Sequence, residues 1–344
     1  MDLLGFIIIL VKVLVVFAAT MITVMGMIYA ERRVSAFMQG RLGPNRVGPK
    51  GLLQPIADGI KFFMKEDLIP SGANKPIFIL APAILLIPAL MTFAVIPFGS
   101  SITMFGREIA LQVADVNVGI LYILALTSIG VYGIVLAGWS SNSKYSLLGG
   151  LRSSAQLISY ELAMGLAVVS IILLAGSLRL NDIIADQQGY FLSWNVFKQP
   201  LAFIIFLVAV YAETNRLPFD LTEAEQELVG GYHTEYSSLK FAMFFLAEYA
   251  NMITAAALTV TLFFGGWDVP LLDESSLGLL GAILSVLSFI LKMAFFLFLF
   301  IWVRWTFPRF RYDQLMRLGW KVLLPLALIN IFLTGGYLTL TAIK

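Results

Sequence analysis

The chain has 344 residues, 59% of them hydrophobic and 13% charged, with a net charge of +2. Ordinary soluble domains carry about 25% charged residues, so a chain with half that share cannot place most of its surface in water. It has no cysteine and one histidine, His233, which excludes iron–sulfur clusters, thiolate metal sites, internal disulfides and paired haem ligands within the chain.

Apolar runs long enough to cross a hydrocarbon core ~30 Å thick as helices predict eight spans, near 3–30, 76–97, 118–139, 155–176, 200–215, 238–265, 280–303 and 320–341. Their apolar character is continuous rather than alternating, which fits helices and not barrel strands. The expected fold class is therefore an all-α integral membrane protein of about eight transmembrane helices, a single membrane domain over 1–344. The first run lacks a basic leader and a small-residue cleavage site, so it is expected to remain as the first helix.

Between the first two runs, RLGPNRVGPKG (41–51) is broken by Gly and Pro, whereas 52–66 recovers a helical period. Leu53, Ile56, Ile60 and Phe63 share one face there, and Gln54, Asp58, Lys61 and Lys65 the other. Such a segment is expected to lie in the membrane interface as an amphipathic helix, with Pro55 tolerated in its first turn. The fifth run is short and bounded by Glu213 and Arg216.

Seventeen of the 23 Lys and Arg residues fall in 31–75, 140–154, 216–240 and 304–321, against Arg107, Arg179, Lys198 and Lys344 in the opposite loops. The positive-inside rule then places the long loops and the amphipathic helix on the cytoplasmic side and both termini on the other. Acids break this pattern in one place. Glu213, Asp220, Glu223, Glu225, Glu227 and Glu235 put six of the 21 acidic residues into one loop, with Arg216 among them. That cluster fits a proton funnel, a cation site, a docking patch for a basic partner, or simply a solvated acidic loop.

Ionisable groups inside spans cost a few kcal/mol to insert and are therefore functional candidates. Glu161 lies in the fourth run, Glu248 in the sixth with Asn251 on the same face, and Lys292 in the seventh with Ser285 and Ser288. They read either as a proton relay or as a structural ion pair of Lys292 with Glu161 or Glu248. Lys12 lies nearer a helix end and is expected to snorkel. No Gly-rich nucleotide fingerprint, GxSxG or HExxH occurs.

Two segments go beyond this physical reading. AERRVSAFMQGRLGPNRVGPKGLLQPIADGIKFFMKEDLIP (30–70) and AETNRLPFDLTEAEQELVGGYHTEYSSLKFAMFFLAEY (212–249) closely resemble signature segments of the H-type family of bacterial NADH-quinone oxidoreductase subunits, equivalent to subunit 1 of mitochondrial complex I. PRFRYDQLM (308–316) resembles a third. The resemblance implies a subunit of a proton-translocating enzyme in a bacterial inner membrane. Its partners would be peripheral quinone-site and cluster-bearing subunits and antiporter-like membrane subunits. The substrate would be a quinone, ubiquinone or menaquinone, with no cofactor bound in this chain. It further implies that the first helix, the amphipathic helix and the sixth helix frame an opening for the quinone tail. Arg32, Gln39, Arg41, Ile56, Ala57, Ile60, Phe63, Arg216 and Phe245 would line that chamber. A proton path would use Glu161, Glu213, Glu223, Glu227 and Glu248, with Asp220, Glu225 and Glu235 in the same loop and Lys292 beyond. A stand-alone cation/proton antiporter and the related subunit of a membrane-bound hydrogenase are the competing readings.

Overall fold

The computed structural model describes residues 3–104, 107–221, 229–272 and 277–342. Seven helical segments among them are long and apolar enough to cross a membrane, and the shorter apolar helix Pro200–Glu213 makes an eighth. The bounds differ from the hydropathy runs wherever polar residues continue a helix. The first helix, α1 (Leu3–Met38), has 36 residues and is about 54 Å long at ~1.5 Å per residue, so it extends past the 3–30 run and out of the hydrocarbon. No Gly or Pro stands between Gly26 and Gly40, so nothing in the chain stops the helix earlier.

After α1 the chain turns sharply at Gly51 (φ 79°), where a Cβ would lie 2.2 Å from the Pro44 carbonyl oxygen. The Tyr29 hydroxyl donates to the Lys50 carbonyl and holds this loop against α1. Helix α2 (Gln54–Met64) follows, with Pro55 in its first turn. It bridges two spans. Arg32 of α1 pairs with Asp58 at 2.5 Å. At its other end Ser238 Oγ donates to the carbonyls of Phe62 and Lys65, and Lys240 pairs with Asp67 at 2.7 Å.

The second span is α3 (Lys75–Met91), which tolerates Pro82 and Pro88 in its interior. A small hairpin of β1 (Ile102–Met104) and β2 (Arg107–Ile109) follows, pairing Thr103 with Glu108, the one departure from an all-helical chain among the described residues. Lys12 does not end in open water: its ammonium donates to the Gln112 carbonyl beyond this hairpin.

Helices α4 (Gly119–Ser140) and α5 (Lys144–Ala175) are the third and fourth spans, the latter starting well before the 155–176 run. They pack through small residues, as membrane helices without a hydrophobic driving force must. A Cβ on Gly133 would come within 2.9 Å of the Leu85 nitrogen of α3, and one on Gly138 within 2.5 Å of the Ser146 carbonyl oxygen of α5. Short helices α6 (Leu180–Ala185) and α7 (Asn195–Lys198) lead to α8 (Pro200–Glu213), whose 14 residues reach only about 21 Å.

The sixth span, α9 (Ser238–Phe263), is the most buried of the long helices and packs against α1, α2, α3 and the seventh span, α10 (Leu279–Thr306). A buried hydroxyl pair, Thr92 with Thr254 at 2.9 Å, joins α9 to the end of α3. The last span begins at α11 (Tyr312–Arg317), passes a π-helical turn at Leu318–Leu323 and continues as α12 (Leu324–Ala342). The turn lies over α5, where Tyr160 donates to the Leu315 carbonyl and the Trp320 indole to Ser159.

Candidate functional site

α1, α9, α10 and the chain after α8 converge on a buried ionic cluster. Glu31, only 6% exposed, accepts from Arg216 Nη1 at 2.9 and 3.1 Å, from the Tyr249 hydroxyl and from Arg304. Arg216, 3% exposed, also reaches Glu248 with its Nε 2.6 Å from Oε1, and its guanidinium lies 4.5 Å over the Tyr249 ring. Two acids against two arginines leave the cluster close to neutral, as a buried site requires. Arg216 is placed by local folding: Gln156 of α5 donates to the carbonyls of Ala212 and Phe219, fixing the chain on both sides of it.

Glu248 has a second neighbourhood. With Glu161, Glu213, Thr127, Asn215 and Asn251 it lines a cavity whose space for water centres is about 30 Å³. One or two waters fit such a volume, and the polar groups to hold them are present. Ser128 of α4 donates to Glu161, which orients that carboxylate toward α4. The structure thus gathers Glu161, Glu213 and Glu248 around one cavity and links Glu248 through Arg216 to Glu31.

Lys292 stands elsewhere. Its ammonium donates to the carbonyls of Phe264, Gly266 and Asp268 and lies 4.7 Å over the Trp194 ring. These carbonyls follow the C-terminus of α9, where the helix dipole favours a cation. Glu248 is 16 residues back along the chain from Phe264, about 24 Å of helix, and Glu161 lines the same cavity as Glu248, so of the two readings left open the ion pair of Lys292 with Glu161 or Glu248 is not formed.

Of the acidic loop, Asp220 is buried and bound by Arg309 Nη2 at 2.9 Å, and Glu235 is half-buried. Burial holds the Asp220 carboxyl above the ordinary carboxylate range, against the pull of Arg309. Glu223, Glu225 and Glu227 lie outside the described residues. His233, on a short turn beside α9, is pushed down to about 4 by burial.

The residues expected to line a chamber do not all face one space. Ile56, Ile60 and Phe63 of α2 are exposed, with Ala57 half-buried beside them. From α2 an aromatic row runs inward: Phe62 meets Phe241 at 6.0 Å, Phe241 stacks on Phe245 at 6.4 Å, and Phe245 meets Tyr249 edge-on at 4.8 Å. The row ends at the residue that donates to Glu31. Arg32 is occupied by Asp58, and Arg41 donates from Nε to Gln39 at 2.7 Å and faces a different groove, between α1 and α10. Among the described residues no three His, Asp or Glu are placed to hold a metal ion.

Glu31, Tyr249 and Arg304 do not stand out in the sequence. Glu31 falls just beyond the hydropathy edge of the first run, and only the absence of a helix breaker before Gly40 points to it.

Residues 11–335 match the NADH dehydrogenase family. The chain is 59% identical over 335 residues to the second H-type subunit of the Geobacter metallireducens NADH-quinone oxidoreductase, covering 94% of this chain and 93% of that one. It is 53% identical to the first H-type subunit of the Cytophaga hutchinsonii NADH-quinone oxidoreductase, covering 94% and 95%. It is 58% identical to NADH-quinone oxidoreductase subunit 8 of Rhodothermus marinus, covering 92% of each.

Proposed function

The chain belongs to the NADH dehydrogenase family, as an H-type membrane subunit of NADH-quinone oxidoreductase, and on that premise we propose that it forms the membrane end of the quinone chamber and couples quinone reduction to a proton path. The observation that carries this reading is the junction at Arg216, where an aromatic row from α2 ends at Tyr249 and Glu31 while Glu248 opens on the carboxylate cavity.

A quinone, ubiquinone or menaquinone, would enter between α1, α2 and α9, its isoprenoid tail against Ile56, Ile60 and Phe63. Reduction by two electrons and two protons, the electrons arriving from cluster-bearing partner subunits, places transient negative charge near Arg216. That charge competes with Glu31 and Glu248 for the guanidinium. Loosening Glu248 from Arg216 frees it to take a proton, and waters in the cavity then connect it to Glu213 and Glu161. Asp220 and Glu235, with Glu223, Glu225 and Glu227, would feed protons from the cytoplasmic side. Both termini would face the opposite side of a bacterial inner membrane, and the antiporter-like membrane subunits would take up the perturbation. Lys292 is a separate charge beyond α9 in this scheme.

Replacing Glu213→Gln in the assembled enzyme tests it. Coupled quinone reductase activity and proton pumping should both fall. Wild-type levels of both in fully assembled complex would remove Glu213 from the path.

A further inference from the structure

The end of α1 and the neighbouring α10 leave a groove of about 540 Å³, lined by Arg33, Phe37, Met38, Arg41, Phe298 and Trp302 among others. Its size lies within the ~300–1,000 Å³ range of small-molecule sites. Its walls are apolar and, on this chain, exposed: Phe37 is 84%, Trp302 51% and Phe298 48% exposed. These walls cannot all lie deep in hydrocarbon. α1 is far longer than a bilayer core, and Phe37 and Met38 are its last two residues. Trp302 stands one turn from the end of α10, the depth at which tryptophan collects in membrane proteins.

The rim is cationic and built. Gly43 packs against Arg33, where a Cβ would sit 3.2 Å from the Arg33 Cα, and Arg33 Nη1 donates to the Pro44 carbonyl at 3.2 Å. Arg41 spends Nε on Gln39, and among the described residues its Nη groups donate to no protein acceptor. No acid lies between residues 32 and 57, and Glu31 is buried and committed to Arg216, Arg304 and Tyr249. Among the described residues no acid pairs with Arg33 or Arg41, while an apolar trough opens beside them.

We propose that this groove seats an anionic diacyl phospholipid, its phosphate between Arg33 and Arg41 and an acyl chain along Phe37, Met38, Phe298 and Trp302. A guanidinium fork matches a phosphate, and the trough gives an acyl chain the contact that a soluble anion would not use.

The test uses the assembled enzyme, extracted in mild detergent, stripped of loosely held lipid and incubated with phosphatidylglycerol or phosphatidylcholine before native mass spectrometry. Wild type should keep phosphatidylglycerol in preference to phosphatidylcholine. The double variant Arg33→Gln/Arg41→Gln should lose that preference by about thirty-fold, the effect of two basic contacts at an anionic interface, while Arg33→Lys/Arg41→Lys keeps most of it. Should the double variant fail to assemble, a photo-reactive phenylalanine analogue at position 37 in the otherwise wild-type enzyme should crosslink phosphatidylglycerol from vesicles. Equal retention of both lipids, unchanged retention in the double variant, or crosslinks only to a quinone or to another subunit would each overturn the proposal.

Discussion

Replacing Glu31→Gln removes one negative charge from a site where two arginines and two acids balance. Arg216 and Arg304 would then share Glu248 alone, and the Tyr249 hydroxyl would lose its charged acceptor. Removing one partner of a buried pair costs about 3–5 kcal/mol, because the remaining charge is left uncompensated. The glutamine carbonyl still accepts one bond, which offsets roughly 1 kcal/mol. The balance of about 2–4 kcal/mol corresponds to roughly a hundred-fold faster thermal inactivation of the assembled enzyme, if opening of this cluster limits the rate. Arg304→Gln alone should cost less, because its side chain is 31% exposed and water solvates what it leaves behind. The combined Glu31→Gln/Arg304→Gln enzyme should inactivate more slowly than Glu31→Gln, since the surplus cation has gone. The assay is residual quinone reductase activity against time at a fixed temperature for all four enzymes. Strictly additive effects, or a change below about three-fold in Glu31→Gln, would refute the reasoning, because interacting buried charges must couple.

Arg216→Lys should destabilise and slow the enzyme by more than ten-fold, since an ammonium cannot hold Glu31 and Glu248 with separate nitrogens as the guanidinium does; activity per assembled complex measures it. Gly149→Ala would push a Cβ to 2.7 Å from the backbone of Gly231 and Tyr232, so the turn bearing the cavity residue Tyr232 must shift, at about 1–3 kcal/mol, with lower assembly on native gels as the readout. His233 is held neutral by burial, with a folded-state value of about 4 against 6.5 unfolded. Its contribution to stability is complete above 6.5 and is lost as pH falls from there toward 4, so His233→Gln should flatten the pH dependence of thermal inactivation in that window. Lys292→Met should weaken the junction of α9 with Trp194 and reduce assembly while leaving protons pumped per electron unchanged in the complex that forms, measured in proteoliposomes.

Much of this protein is written in local chain properties. Continuous apolar runs specify membrane helices because only helices and closed barrels satisfy the backbone in hydrocarbon and barrel strands would alternate, and the signature segments specify the family. The apolar and polar faces of α2 are likewise set by residues a few positions apart. Hydropathy fails where function begins. α1 passes its apolar edge to Met38 because no Gly or Pro stops the helix before Gly40, and Glu31 is thereby carried into the interior. Arg216, Tyr249 and Arg304 are separated from Glu31 by 185 to 273 positions, and Glu248 is paired with Arg216, so no pattern along the chain can announce that they share one cluster. The same limit explains Lys292. Its place in a span predicts that it needs a partner, but whether that partner is a carboxylate or a row of carbonyls beyond a helix end is decided by the crossing of α9 and α10. The sequence by itself determined the class, the family and that Glu161, Glu248 and Lys292 fall within spans, because insertion cost and helical period act residue by residue. Only the tertiary structure decided which of those charges meet, because electrostatic pairing depends on distances that the crossings of the helices set.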